Sequence, residues 1–229
     1  MTKLSGMSHA VYPDKFLAWA VSFRGEKDAV SRLLAGYSAA IALADEPALS
    51  MMIKLGKDHS LGHREFYEMI LQSHLFLGFP RMLIAAEHLA GQFEGISMSS
   101  VTEPVTPNES QAWFENGLTL CRRVYGASFD PLRTHVEAVA PEVFRWMIIE
   151  GYGKVLSRPG VSAIDRELAI VACLIIENRP KQLHSHMRGA LNVGADPALV
   201  RRIIEDQKDC APNGFRAAVS LLDGITGER

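Results

Sequence analysis

A chain of 229 residues, 48 % hydrophobic and 22 % charged, can bury a substantial core as one large domain or two modest ones. A net charge of −2, with no long lysine or arginine block, argues against a nucleic-acid binder. The N-terminus MTKLSGMSHAVYPDKF lacks the apolar stretch of a signal peptide, and no run of about 18 apolar residues reads as a membrane span, so a cytosolic protein is expected.

The apolar periodicity is helical nearly throughout. AVSRLLAGYSAAIALAD (29–45) is too long for a strand and ends at Asp45-Glu46-Pro47. PALSMMIKLGKDHSLG follows, then HREFYEMILQSHLFLG, which stops at Gly78; Pro80 opens the next helix, PRMLIAAEHLAGQF. The stretch 95–110, GISMSSVTEPVTPNES, is polar and proline-bearing and reads as a connecting loop. Helices are expected near 109–125, over 130–140 and over 141–157. Arg158-Pro159-Gly160 makes a turn, and Ser162 to Asp165 has the spacing of a capping box that starts a helix. No β-hairpin signal stands out, so the fold class is all-α.

Sliding the chain against itself by 134 residues aligns Arg32, Leu34, Ala35, Ile41, Leu49 and Ile70 with Arg166, Leu168, Ala169, Ile175, Leu183 and Ile204. The order of elements repeats as well: a long apolar helix, a proline-started helix, a short loop, a third helix, then Gly-Phe. A duplicated helical unit is expected, with residues 1–94 as the first unit, 95–110 as the loop and 111–229 as the second.

Glu167 is set in one of the most apolar helices, sharing a face with Ala163, Ile164, Ile170, Val171 and Leu174. A carboxylate there must be hydrogen-bonded, paired or protonated. The next helix starts near Pro180 and stops at Gly194, and it carries Leu183, His186, Met187, Ala190 and Leu191 as a stripe. A short Asn178-Arg179 turn makes the two helices antiparallel neighbours, so Glu167 and His186 can meet. Such a pair suits general acid–base work near neutral pH; it also suits a buried hydrogen bond that only ties two helices together. Under the internal alignment Glu167 faces Leu33 and His186 faces Met52, so only the second unit has the pair.

Around that pair, Arg166 and Arg158 are candidates for holding an anionic substrate, and His184 for the mouth of the site. His184 and His186 are two apart and cannot share one ligand face; with no further ligands signalled, no metal site and no cofactor are expected. His59, His63, His74 and His88 read as helix-end and surface residues. Cys121, Cys173 and Cys210 are far apart with no CxxC, which argues for packed thiols rather than disulfides or zinc ligands.

GYGKVLSRPGVSAIDRELAIVACL followed by LHSHMRGALNVGADPALVRRIIE resembles the carboxymuconolactone decarboxylase family of the alkylhydroperoxidase D-like superfamily. REFYEMILQSHLFLGFPRML resembles the same family's helix pair in the first unit. The resemblance implies an alkylhydroperoxidase D-like helical bundle, assembly into trimers or hexamers, and a site near subunit contacts. It places Glu167 and His186 on the family's Glu and His positions. The two cysteine positions of the peroxidase branch fall on Arg179 and Gln182, so thiol-dependent peroxide reduction is disfavoured, including a version recruiting Cys173.

The decarboxylase branch implies His186 as proton donor, Glu167 as its orienting partner and an arginine such as Arg166 as carboxylate anchor. The expectation is a cofactor-free, decarboxylase-like enzyme acting on a small organic acid or lactone. The competing expectation is a non-catalytic helical oligomer, with or without a small ligand, in which the pair is structural.

Overall fold

The computed structural model describes residues 26–96 and 103–227. Those residues form helices and turns, with no strand among them. The first half holds α1 (Ala29–Leu43), α2 (Glu46–Asp58) and α3 (His63–Ala90). The second holds α4 (Pro107–Tyr125), a 3-10 turn (Gly126–Ser128), α5 (Phe129–Val139), α6 (Pro141–Trp146) and a π-helical segment (Met147–Leu156). Then come α7 (Ala163–Ile176), α8 (Pro180–Val193), α9 (Pro197–Asp206) and α10 (Pro212–Thr226).

Local chemistry sets most of the boundaries. The Asp45 carboxylate accepts from Ala48 N–H at 3.0 Å and caps α2, with proline in its first turn. Thr106 and Glu109 complete a reciprocal capping box on α4, so that helix starts at Pro107, inside the stretch read from sequence as loop. Ser162 caps α7 by accepting from Asp165 N–H at 3.1 Å, as its spacing implies. Gly194 ends α8 in the left-handed region with φ of 109°.

α3 is helical over a length and composition that would cross a membrane, but Gly78, at φ 74° and ψ 172°, breaks it before Pro80. The stop read at Gly78 and the start read at Pro80 are therefore both present. The residues 141–157, expected as one plain helix, wind as α-helix only to Trp146 and as π-helix beyond it.

Two apolar cores share one interface. Leu33, Tyr37, Met52, Phe66 and Met69 centre the first; Cys121, Ile148, Leu168, Val171, Met187 and Ile203 centre the second. α1 lies along α7, with Ala169 of α7 counted in the first core and Ala35 and Ala39 of α1 in the second. The starts of α1, α2 and α3 recur 134 residues later as the starts of α7, α8 and α9. Reciprocal polar links cross the interface: Arg32 of α1 donates to Asp206 of α9 at 2.9 and 2.6 Å, and Arg166 of α7 donates to Gln72 of α3 at 3.3 Å. The positions in these two links are again 134 apart, Arg32 with Arg166 and Gln72 with Asp206.

Candidate active site

α7 and α8 run antiparallel because only Glu177, Asn178 and Arg179 separate them, with Asn178 at φ 51°. Asparagine tolerates that left-handed conformation better than most residues. The turn brings Glu167 Oε2 to 2.8 Å from His186 Nδ1. Glu167 is 2 % exposed and His186 7 %, so the contact lies in a weakly screened environment. The edge of the His186 ring meets Phe76 of α3, ring centroids 5.3 Å apart at 83°. A first-half residue therefore helps to close the site over the second-half pair.

Three further ionisable side chains surround the carboxylate: Cys121 and Tyr125 on α4 and Tyr152 on the π-helical segment. α4 and that segment approach to backbone contact at Gly117 and Gly153. A β-carbon on Gly153 would meet the Trp113 carbonyl oxygen at 1.9 Å, and one on Gly117 the Ile148 carbonyl oxygen at 2.0 Å. That approach sets Tyr152 against Tyr125, rings 6.2 Å apart and phenols hydrogen-bonded to each other.

Burial pushes the Cys121 thiol up to about 12, and the Glu167 charge pushes the same way. Burial likewise raises the Tyr125 phenol to about 12, against a lowering by its hydrogen bond to Tyr152. Tyr152 is raised well above the ordinary phenol value by burial, then by Tyr125 and Glu167. These groups are protonated at neutral pH, so they serve as hydrogen-bond donors rather than nucleophiles.

A half-open cleft of about 460 Å³ adjoins this cluster, lined by Val124, Tyr125, Ser128, Leu132, His184 and Arg188 among others. Glu167 and His186 are not part of its lining. Val124 and Tyr125 form the partition. Both Val124 Cγ1 and Glu167 Oε2 lie 2.7 Å from where a Gly189 β-carbon would sit.

The structure separates the residues expected around the pair. His184 lines the cleft. Arg166 does not reach the pair: it points to α3, where it donates to Glu68 at 2.8 Å and to the Arg158 carbonyl at 3.1 Å, and is 2 % exposed. Desolvation lowers the pKa of this guanidinium, against the raising effect of Glu68. Arg158 also pairs with Glu68, at 3.0 Å, and lines a different cleft of about 340 Å³ with Asn116, Thr119, Arg123 and Ser157. Adjacent residues on a helix project about 100° apart, so Arg166 and Glu167 serve different walls.

Cys173 lies near Glu177 and Arg81, is 3 % exposed and is held up to about 12 by burial. Of the other histidines, His59 caps the end of α2, His63 opens α3, His74 stacks on Phe79, and His88 shares a hydrogen bond with Ser50 at 2.9 Å. Among the described residues no three His, Cys, Asp or Glu side chains converge. Sequence reasoning assigned no role to Tyr125, Tyr152, Phe76, Glu68 or Gly189. Only Tyr152 (within GYG) and Gly189 (one turn after His186) carry a signal that could have drawn attention to them.

Fold and site together define a class, the all-helical bundles that bury one carboxylate–imidazole pair between two antiparallel helices. Residues 141–222 match the model of the carboxymuconolactone decarboxylase family. The match includes Tyr152, Glu167 and His186 but not α4, which supplies Cys121 and Tyr125. Over 99 residues the chain is 25 % identical to Peroxisomal protein 2 of Saccharomyces cerevisiae, covering 43 % of this chain and 35 % of that protein. The chain thus spans about a third of that relative's length.

Proposed function

We propose that this protein is a cofactor-free enzyme that performs acid–base chemistry, decarboxylase-like, on a small organic acid or lactone. The observation that carries the reading is the 2.8 Å contact between Glu167 and His186 directly behind the Val124–Tyr125 wall of a cleft. Loss of carbon dioxide leaves an electron pair on carbon, which a neighbouring carbonyl must accept while a hydrogen-bond donor stabilises its oxygen. A proton then returns to that carbon. In this reading Tyr125 is the donor facing the cleft, His186 supplies the proton and Glu167 orients the imidazole.

The test is a screen of lactone acids with mass-spectrometric detection of carbon dioxide loss, repeated on His186→Ala and Glu167→Gln. Turnover that disappears in His186→Ala while helicity is retained supports the proposal. A fold that collapses in that variant, with no acid turned over by the parent protein, removes it.

A second reading has its own support. The pair is closed over by Phe76 and absent from the cleft lining, which suits a hydrogen bond whose work is to tie α7 to α8. It predicts that replacing both residues by a volume-matched apolar pair leaves every property but stability intact.

The proposal extends to assembly and history. The repeated helix starts and reciprocal arginine links support two copies of one ancestral unit, the first without the pair. Exposed Phe79, Leu83 and Ile84 after the Gly78 break, and Val139 and Trp146 near α6, support self-association as a trimer or hexamer-like particle. Sedimentation equilibrium tests it. The compartment proposed is the cytosol, and the yeast relative's name makes the peroxisome the alternative for fractionation to exclude.

A further inference from the structure

We infer that the cleft beside the Glu167–His186 pair is a carboxylate subsite, in which Arg188, together with His184, takes the anionic group of a small organic acid. The inference rests on the acid–base reading above and names how the acid is held.

Several arginines of this chain are committed to carboxylates elsewhere. Arg32 is bound to Asp206 and Glu26, Arg81 to Glu177, Arg158 and Arg166 to Glu68, Arg201 to Asp223 and Arg202 to Asp28. Arg188 is exposed, lines the cleft, and has no carboxylate partner among the described residues. His184 lies one helical turn before it on α8, on the same wall. No Asp or Glu is among the residues lining this cleft. A planar guanidinium with its donors uncommitted is well suited to a carboxylate, which it can grip with two parallel hydrogen bonds.

The rest of the lining fits the remainder of such a molecule. Val124, Pro131 and Leu132 offer apolar contact for a ring or short chain. Ser128 and Ser185 offer hydroxyls, and the Asn192 amide is fixed in place by donating to the Val124 carbonyl at 2.8 Å. Tyr125 belongs both to this lining and to the buried cluster around Glu167. An acid seated on Arg188 therefore shares a cleft with the phenol that borders the pair. The alternative anchors fail on geometry, because the guanidinium groups of Arg166 and Arg158 are gathered at Glu68.

The test uses the full chain with a γ-butyrolactone carboxylate and its neutral methyl ester, followed by calorimetry at low ionic strength. The carboxylate is expected to bind more tightly than the ester. Arg188→Ala should weaken the carboxylate at least about tenfold and leave the ester unchanged, with part of the loss recovered in Arg188→Lys. His186→Ala should still bind the acid. The inference is overturned if the parent protein binds neither compound, binds both alike, or loses the acid in Arg158→Ala instead.

Its failure is separable from that of the enzyme. Arg188-dependent binding with no turnover of any lactone acid keeps the subsite and ends the catalytic proposal. Turnover that vanishes in His186→Ala but ignores Arg188→Ala keeps the catalysis and ends the subsite.

Discussion

The Glu167 carboxylate occupies space that a side chain on Gly189 would need: a β-carbon there would lie 2.7 Å from Glu167 Oε2 and 2.7 Å from Val124 Cγ1. Both obstacles are side-chain ends, which can move, whereas the backbone cannot. Gly189→Ala gains about 1 kcal/mol of helix propensity against an overpacking cost of about 1–3 kcal/mol. Stability should therefore change by no more than about 2 kcal/mol, while the carboxylate is pushed off His186. The expected outcome is a near-normal melting temperature with displaced His186 ring NMR signals and a fall in any kcat. Unchanged ring signals would mean that the helix shifts as a whole to keep the contact.

Gly153 makes the opposite case. Its neighbour is the Trp113 carbonyl oxygen, 1.9 Å from an added β-carbon, and the Gly117 site faces the Ile148 carbonyl in the same way. Backbone cannot retreat without separating α4 from the π-helical segment. Gly153→Ala should cost upwards of about 3 kcal/mol, among the larger effects of a single substitution. Urea denaturation measures it, and loss of the Tyr125–Tyr152 contact should accompany it as a change in near-ultraviolet circular dichroism.

Glu68 stands between Arg166 and Arg158, the former 2 % exposed and the latter with its side chain 43 % exposed. Removing the acid strands a buried guanidinium whose Nε already has no hydrogen-bond partner. Glu68→Ala should destabilise by about 3–5 kcal/mol. Glu68→Ala combined with Arg166→Met should recover much of the loss, because the stranded charge is gone. Chemical denaturation of the single and double variants decides it; equal losses in both would show that packing, not charge, dominates at this site.

How far the sequence carried depended on the range of the interaction. The cap at Ser162, the break at Gly78 and the left-handed stop at Gly194 are encoded within a few residues and were legible, whereas Asp45 was read only as a helix end and not as the cap of α2. The Glu167–His186 contact was legible too, because one short turn fixes two adjacent helices and the apolar stripe fixes their facing sides. Arg166 was misplaced because its partner, Glu68, lies 98 positions away on a helix whose packing no local pattern specifies. The Phe76 contact with His186 was hidden for the same reason. The π-helical winding of Met147–Leu156 leaves the residue pattern looking like ordinary helix, so nothing marked Tyr152 as a neighbour of the carboxylate.

The thiols give a pH-dependent prediction. Cys121 and Cys173 rise from the ordinary value of 9.0 to about 12 in the folded protein, mainly by burial. Above pH 9 the unfolded chain ionises these thiols and the folded one does not, so the unfolded state holds fewer protons and stability falls with rising pH. The loss begins near the unfolded value and runs to the folded one, reaching on the order of 4 kcal/mol per thiol by pH 12. Denaturation midpoints measured from pH 8 to 11 should decline, and the decline should be shallower in Cys121→Ala with Cys173→Ala. A thiol reagent at pH 8 should leave both residues unmodified until the protein unfolds. Rapid native labelling of Cys121 would reopen thiol chemistry beside Glu167.

Access to His186 can come from two sides, and they are separable. Phe76 covers the imidazole from α3, and Tyr125 lines the cleft and interacts with Glu167, the imidazole's partner. Phe76→Ala removes a half-buried ring at a cost of about 1–3 kcal/mol and opens a path that no residue of the cleft controls. Tyr125→Phe removes one hydroxyl, ends its hydrogen bond to Tyr152 and costs about 1 kcal/mol. If substrate enters by the cleft, Tyr125→Phe should lower kcat by ten- to a hundredfold, the scale of a lost donor to a developing oxyanion, about 1.4–2.7 kcal/mol. Phe76→Ala should then lower the melting temperature with kcat/KM nearly unchanged. The reverse pattern would place the working entrance on the α3 side and make the break at Gly78, two residues after Phe76, part of the doorway.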